Sequence, residues 1–250
     1  MKLTRKQFLK LAGGSLVGIA GTKIVSSSVL EGTPVNSRAK QWGLAFDFSK
    51  CRWDSGCEGC LMACKKAHNI PDIADPDRAV KWTWKEHEPA VFPLQSALLP
   101  TEIKQRPVPV LCNHCAKPAC TRVCPTEATW KRDDGVVMMD WHRCIGCRYC
   151  MAACPYGARS FNWSGPRPHL VSINTEFPTR SKGVVEKCNF CEERLAKGLQ
   201  PACVESCGEK AITFGDLNDP QSQIRVLLKM RYSIQRRPEL GTGPSVFYLI

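Results

Sequence analysis

Sixteen cysteines in a chain of 250 residues limit its possible folds more than any other feature, because they fall into four quartets with none left over. The first quartet is Cys51, Cys57, Cys60 and Cys64, and the second is Cys112, Cys115, Cys120 and Cys124. The third is Cys144, Cys147, Cys150 and Cys154, and the fourth is Cys188, Cys191, Cys203 and Cys207. The chain is long for a secreted disulfide scaffold, and cysteines this tightly spaced face severe geometric limits on disulfide pairing. Structural zinc sites use two C-x2-C pairs well separated in sequence. Only the fourth quartet, read alone, fits that pattern.

The third quartet has the C-x2-C-x2-C-x3-C-P run of bacterial ferredoxins, which marks it as an iron–sulfur site. Three cysteines two apart let a tight loop wrap one cluster, and Gly146 relieves the crowding. The fourth cysteine opens a helix that points away, so it serves the other cluster of its pair. Pro125 and Pro155 stop the chain from curling back. Applied throughout, this rule groups Cys112, Cys115 and Cys120 with Cys154, and Cys144, Cys147 and Cys150 with Cys124. It also groups Cys51, Cys57 and Cys60 with Cys207, and Cys188, Cys191 and Cys203 with Cys64. The expectation is four [4Fe–4S] clusters in a loop-rich α+β fold of two ferredoxin-like double-cluster modules, one inserted in the other.

The formal charge of +12 raises the question of nucleic acid. Lys2, Arg5, Lys6, Lys10 and Lys23 lie in residues 1–30, which read as a targeting segment with a basic start and a short apolar stretch. That stretch is too short to span a bilayer. Without these five charges the balance is +12 − 5 = +7. Four thiolate-bound cubanes at roughly −2 each would bring it near neutrality. No basic stripe or recognition motif supports a nucleic-acid partner. The run Thr4-Arg-Lys-Gln-Phe-Leu-Lys10 resembles the twin-arginine export motif, with Lys6 at the second arginine's place. That route carries folded, cofactor-loaded proteins and implies a periplasmic location.

Three segments then carry a family resemblance: Cys112-Asn-His-Cys through Cys-Pro-Thr-Glu-Ala128, Cys144-Ile-Gly-Cys-Arg-Tyr-Cys through Cys-Pro-Tyr-Gly-Ala-Arg159, and Lys187-Cys-Asn-Phe-Cys through Cys207. They resemble the iron–sulfur electron-transfer subunits of the dimethyl-sulfoxide-reductase superfamily. The tail Asp219-Pro through Gly241-Thr-Gly-Pro-Ser-Val-Phe-Tyr-Leu249 looks like the subunits of tetrathionate, polysulfide and related periplasmic reductases, with quinone-reductase-complex and hydrogenase-linked subunits as near relatives. The resemblance implies a non-catalytic wire between a molybdopterin-type catalytic subunit and a polytopic membrane subunit that exchanges electrons with quinone. A hydrogenase- or cytochrome-linked periplasmic carrier, with a multihaem cytochrome c as partner, is the alternative. Asp47-Phe-Ser-Lys-Cys51 matches the family's approach to its first cysteine, but Cys57 arrives three residues later than usual. Either the loop bulges, or Asp54 takes the place of Cys51 and the first site holds a [3Fe–4S] or Asp-ligated cluster.

The expected organisation is a signal segment at 1–30 and an outer module at 41–106 and 156–215. An inner module falls at 107–155, and a C-terminal helix and tail at 216–250 dock on a partner. Strands are expected at 42–49, 108–111, 136–140, 211–215 and 246–249, with a helical run through Ile224, Val226, Leu227, Leu228 and Met230. Residues 69–106, rich in Pro and carrying Trp82, Trp84 and His87, read as an insertion over the clusters or against a partner. The aromatics, Trp130 among them, suit packing. The histidines His68, His87, His114, His142 and His169 suit structural or surface roles, since cysteines already complete four sites. Lys65, Arg148 and Lys187 stand beside ligands and are candidates to raise cluster potentials. No nucleophile set, phosphate loop or dinucleotide fingerprint is present.

Overall fold

The computed structural model describes residues 39–52, 55–94 and 100–250; the expected targeting segment and Asp54 lie outside them. In chain order the strands are β1 (Trp42–Asp47), β2 (Thr83–His87), β3 (Pro107–Leu111), β4 (Thr129–Lys131) and β5 (Val137–Met139). They continue with β6 (Ser160–Phe161), β7 (Val185–Glu186), β8 (Ile212–Asp216), β9 (Ser233–Ile234) and β10 (Val246–Leu249). The helices are α1 (Gly59–Ala67), α2 (Glu88–Val91), α3 (Thr101–Lys104), α4 (Ala119–Arg122), α5 (Tyr149–Ala152), α6 (Glu192–Leu195), α7 (Ala202–Glu205) and α8 (Gln223–Met230). Most are a single turn, because cysteine loops rather than helices set the course of the chain.

One four-stranded sheet, in the order β8-β1-β10-β9, joins the beginning of the described chain to its end. β1 pairs with β10 in parallel, Leu44 opposite Val246 and Phe46 opposite Tyr248. It pairs with β8 antiparallel, Phe46 opposite Ile212. Side chains alternate across a strand, and the two faces of this sheet have different neighbours. Leu44, Phe46, Val246, Tyr248 and Phe214 face the main core. Ala45 and Leu249 face Ile224, with Leu217, Leu227 and Leu228 alongside. The apolar period of α8 therefore covers the sheet's outer face, while Val226 and Met230 remain exposed. Ser222 caps this helix by accepting from the Arg225 amide.

Strand β10 spans the expected residues. β1 is shorter than expected because Asp47 turns the chain: its carbonyl accepts from the Cys51 amide at 3.0 Å, and its carboxylate accepts from the Ser49 amide and hydroxyl at 3.0 and 2.6 Å. The motif Asp47-Phe-Ser-Lys-Cys51 is thus a turn that aims Cys51 inward. Within the segment 69–106, Ile70, Val80, Trp82, Val91 and Phe92 are built into the core rather than lying over it. β2 pairs with β3, and Trp82 is buried with its indole nitrogen donating to Glu186 at 2.7 Å. Glu186 also meets buried Arg180 at 2.7 Å. Trp130 stays partly exposed.

The C-terminal tail runs along the second quartet's loop. The Ala116 amide donates to the Gly243 carbonyl at 2.7 Å, Lys117 to Thr242 at 2.9 Å, and Ser245 to Asn113 at 2.8 Å. Gly243, at φ +62°, has no room for a Cβ beyond close contact with Ala116.

Arg231 ties the segment after α8 back to β1 through the Asp47 carboxylate at 2.6 Å. Burial alone would raise the Asp47 carboxyl, but hydrogen bonds from Ser49 and Arg231 outweigh it and hold it below its usual value. A depressed carboxylate stabilises the fold at pH above its unfolded value of ~3.9 and loses that effect as pH falls through the lower folded value. Asp47→Asn is expected to cost about 1–3 kcal/mol. Anaerobic urea denaturation between pH 8 and 5 should show a constant deficit across that window.

Candidate metal centres

The structure brings the cysteines together in sulfur-rich groups that do not follow the order of the sequence. Cys51, Cys57, Cys60 and Cys207 line a cavity of about 390 Å³ floored by Phe46, Pro109 and Ile212. Burial pushes the Cys60 thiol up to about 11, helped by Cys51, Cys207 and Cys57. Gly56, on the edge of this cavity, stands at φ +79°, a backbone state that glycine adopts freely. Cys51 thus reaches the cavity.

One turn further along α1, Cys64 faces a different set. Its buried thiol is raised by desolvation and then by Cys188. Cys191 is raised by burial and by Cys64, and Cys203 by burial and by Cys191, Cys64 and Cys188. Phe190 and Cys191 both take left-handed backbone conformations, with φ 57° and 54°, so the chain curls tightly enough to donate the Phe190 amide back to the Cys188 sulfur at 3.4 Å. Cys207, the last member of the zinc-compatible contiguous set, lies instead in the first cavity. The fourth quartet is therefore split between two groups.

Burial pushes the Cys115 thiol up to about 12, with Cys112, Cys120 and Cys154 adding to it. Cys154 is in turn raised by burial and by Cys112. Cys124 and Cys144 pack against Cys150 in a second apolar cluster with Val137 and Val185, while Cys147 is exposed. Burial would raise Cys124, but the Thr126 hydroxyl and the amides of Thr126, Thr129 and Ala128 hold it lower. All sixteen cysteines are free thiols. Crowding four such sulfurs raises the cost of ionising each, so a cation at the centre is what would let them coexist as thiolates. The donor sets suit iron–sulfur clusters on that ground.

The basic residues beside ligands separate into two kinds. Lys65 points outward to Asp72 at 2.9 Å, and Arg148 lies over Trp163 and Phe161 at 4.9 and 5.4 Å from the ring centroids. Neither is directed at a sulfur group. Lys187 is buried, donating to the carbonyls of Val137 and Cys188. Sequence reasoning missed Arg159, which donates to the Cys120 sulfur at 3.0 Å and to the Thr129 hydroxyl at 2.8 Å. Its place just before β6, two residues ahead of Phe161, was the available signal. His114 is buried and stacks on Phe190, accepting from the Val137 amide at 3.0 Å. Burial, then the charges of Lys187 and Arg159, holds it well below its usual value. His68 bridges the Cys64 carbonyl and Glu193. His87, His142 and His169 are exposed.

A fold of short elements around crowded, sulfur-rich groups points to an iron–sulfur protein of the ferredoxin type. Residues 103–167 and 171–217 match the 4Fe-4S dicluster domain family. The chain is 38% identical over 272 residues to the Hdr-like menaquinol oxidoreductase iron-sulfur subunit 1 of Archaeoglobus fulgidus, covering 98% of this chain and 97% of that one. It is 36% identical to the arsenate respiratory reductase iron-sulfur subunit of Shewanella sp., covering 83% of this chain and 95% of the relative. It is also 36% identical to the menaquinone reductase iron-sulfur cluster-binding subunit of Nitratidesulfovibrio vulgaris, covering 84% and 88%. The chain belongs to the family of iron–sulfur subunits of respiratory reductases, which supports a part in electron transfer.

Gly146, at φ +71°, lies where a Cβ would collide with the Gly183 carbonyl. Gly146→Ala should therefore displace the loop carrying Cys144 and Cys147. Anaerobic iron analysis is expected to show a loss of about four iron atoms per chain, with the remaining centres spectroscopically unchanged.

Proposed function

We propose that this chain is the electron relay of a respiratory oxidoreductase complex, holding four [4Fe–4S] clusters between a molybdopterin-type catalytic subunit and a polytopic, quinone-reactive membrane subunit. When bound, such clusters supply one-electron transfer. The proposed ligand sets are Cys51, Cys57, Cys60 and Cys207; Cys64, Cys188, Cys191 and Cys203; Cys112, Cys115, Cys120 and Cys154; and Cys124, Cys144, Cys147 and Cys150. On this reading residues 107–155 are the inner module, and 41–106 with 156–215 the outer one. The lining of the first cavity by Cys51 favours thiolate ligation there over Asp54.

What supports the reading is that the four proposed sets can be ordered as a file by which cysteines act on one another. Cys60 and Cys64 are neighbours on α1 that serve the first and second groups of the file. Cys188 borders Cys112, and Cys150 borders Cys120. The order is first, fourth, second and third quartet. The two exposed cysteines, Cys57 and Cys147, fall in the terminal groups. A relay needs such a layout, with insulated middle stations and accessible ends. Among the described residues no helix is long and apolar enough to cross a membrane, which suits attachment through partner subunits.

Anaerobic metal and acid-labile sulfide analysis should give about sixteen iron atoms per chain, and stoichiometric zinc would defeat the reading. Cys64→Ser is expected to perturb the cluster of Cys188, Cys191 and Cys203 while sparing that of Cys51, Cys57 and Cys60, read by EPR.

The proposed location is periplasmic, reached through a twin-arginine-like signal in residues 1–30. A lysine lacks the planar fork of an arginine, so Lys6→Arg should maintain or raise export and Arg5→Lys should lower it. Periplasmic fractionation checks both.

A further inference from the structure

Two cations buried side by side have no role in the relay as described so far. Lys187 is 2% exposed and Arg159 is 4% exposed. Taking a charge out of water is expensive, and a buried one normally has a counter-ion. Arg180 shows the ordinary solution, pairing with Glu186 at 2.7 Å. Among the described residues, neither Lys187 nor Arg159 pairs with a carboxylate. Lys187 is satisfied by two main-chain carbonyls, and Arg159 by Thr129, the Met139 sulfur at 3.6 Å and the Cys120 sulfur.

Among the described residues, the negative charge that faces both cations belongs to cysteines. Burial disfavours charge on Lys187, while Cys112, Cys188 and Cys120 favour it and Arg159 opposes it. Burial likewise disfavours charge on Arg159, and Cys120, Cys150 and Cys112 more than offset it. The sulfurs that act on both cations are Cys112 and Cys120, both in the second quartet. The other groups that press on this site are not anionic. His114 is held neutral between the two cations, and Thr129 and Met139 are uncharged. Each cation also faces one sulfur of a neighbouring group, Cys188 for Lys187 and Cys150 for Arg159, so only the second group faces both cations.

We infer that Lys187 and Arg159 form a fixed countercharge to the cluster of the second quartet, and that they raise its reduction potential relative to the other three. Adding an electron makes a thiolate-bound cluster more negative, so a nearby cation that water cannot screen favours the reduced state. The hydrogen bond from Arg159 to the Cys120 sulfur acts in the same direction. Both residues are positioning and tuning groups; neither ligates iron. The inference rests on the four-cluster reading, which the iron count of the wild-type protein tests separately.

The experiment is an anaerobic, EPR-monitored redox titration of the purified holoprotein, with iron content measured on the same samples. Lys187→Met keeps the length and removes the charge; Lys187→Arg restores a charge. In Lys187→Met the midpoint of the second quartet's cluster should move downward furthest, that of the cluster served by Cys188 less, and the other two should stay in place; Lys187→Arg should return both toward wild type. Arg159→Lys keeps the charge but loses the forked contact to Thr129 and sulfur, so a smaller downward shift of the second quartet's midpoint is expected. Should Lys187→Met lose one cluster outright while Lys187→Arg stays fully loaded, the countercharge is confirmed as a requirement for assembly. A fully loaded Lys187→Met with four unmoved midpoints, or all four moved alike, overturns the inference. So does cluster loss in both Lys187 variants, which would assign the side chain a packing role.

Discussion

Everything in this molecule answers to one electrostatic constraint: sulfur atoms that repel one another as anions must be held together away from water. The buried cysteines Cys64, Cys112, Cys188 and Cys203 are members of the main core, packed with Phe46, Phe190 and Tyr248. Core and binding site are therefore the same atoms. A conventional domain buries its apolar residues and then places a site on the surface. Here the site's ligands are part of what is buried, so folding and metal binding are coupled, as in other small metalloproteins.

That coupling explains the unusual polar content of the interior. Arg180, Glu186, Trp82 and Asn162 make one buried network, with Asn162 donating to Glu186 at 2.5 Å. Arg180 also donates to the carbonyls of His68 and Asn69, just after α1. The network fixes the end of the helix that carries both Cys60 and Cys64, two thiols that face different sulfur groups. Apolar packing tolerates small rotations of a helix, whereas a satisfied buried hydrogen-bond network specifies one orientation. Precision at sulfur is thus supplied from a few residues away by charge and hydrogen bonds.

The cysteine spacing was legible because metal ligation leaves a rigid signature in sequence, and β10 because four apolar residues end a glycine- and proline-rich stretch. The turn at Asp47 was legible as a motif though not as a mechanism. What escaped was direction. Lys65, Arg148 and Lys187 look equivalent beside their cysteines, yet only Lys187 turns inward, because Asp72 and the rings of Phe161 and Trp163 hold the other two outside. Residues 69–106 read as a loose cover because prolines interrupt every apolar run. Their place in the core depends on β3, some twenty residues beyond β2, and no local pattern announces that partnership.

The parallel pairing of β1 with β10 has a temporal meaning. β1 has β8 on one side, but its parallel neighbour on the other comes from Val246–Leu249, far along the chain, and the segment just before it clasps the loop holding Cys112 and Cys115. Contacts between such distant parts of a chain form late and slowly. Until they form, β1 is an open edge and the second sulfur group lacks its strap. β10 is in this sense a latch: without it the sheet is unfinished and the loop of the second sulfur group loses its strap.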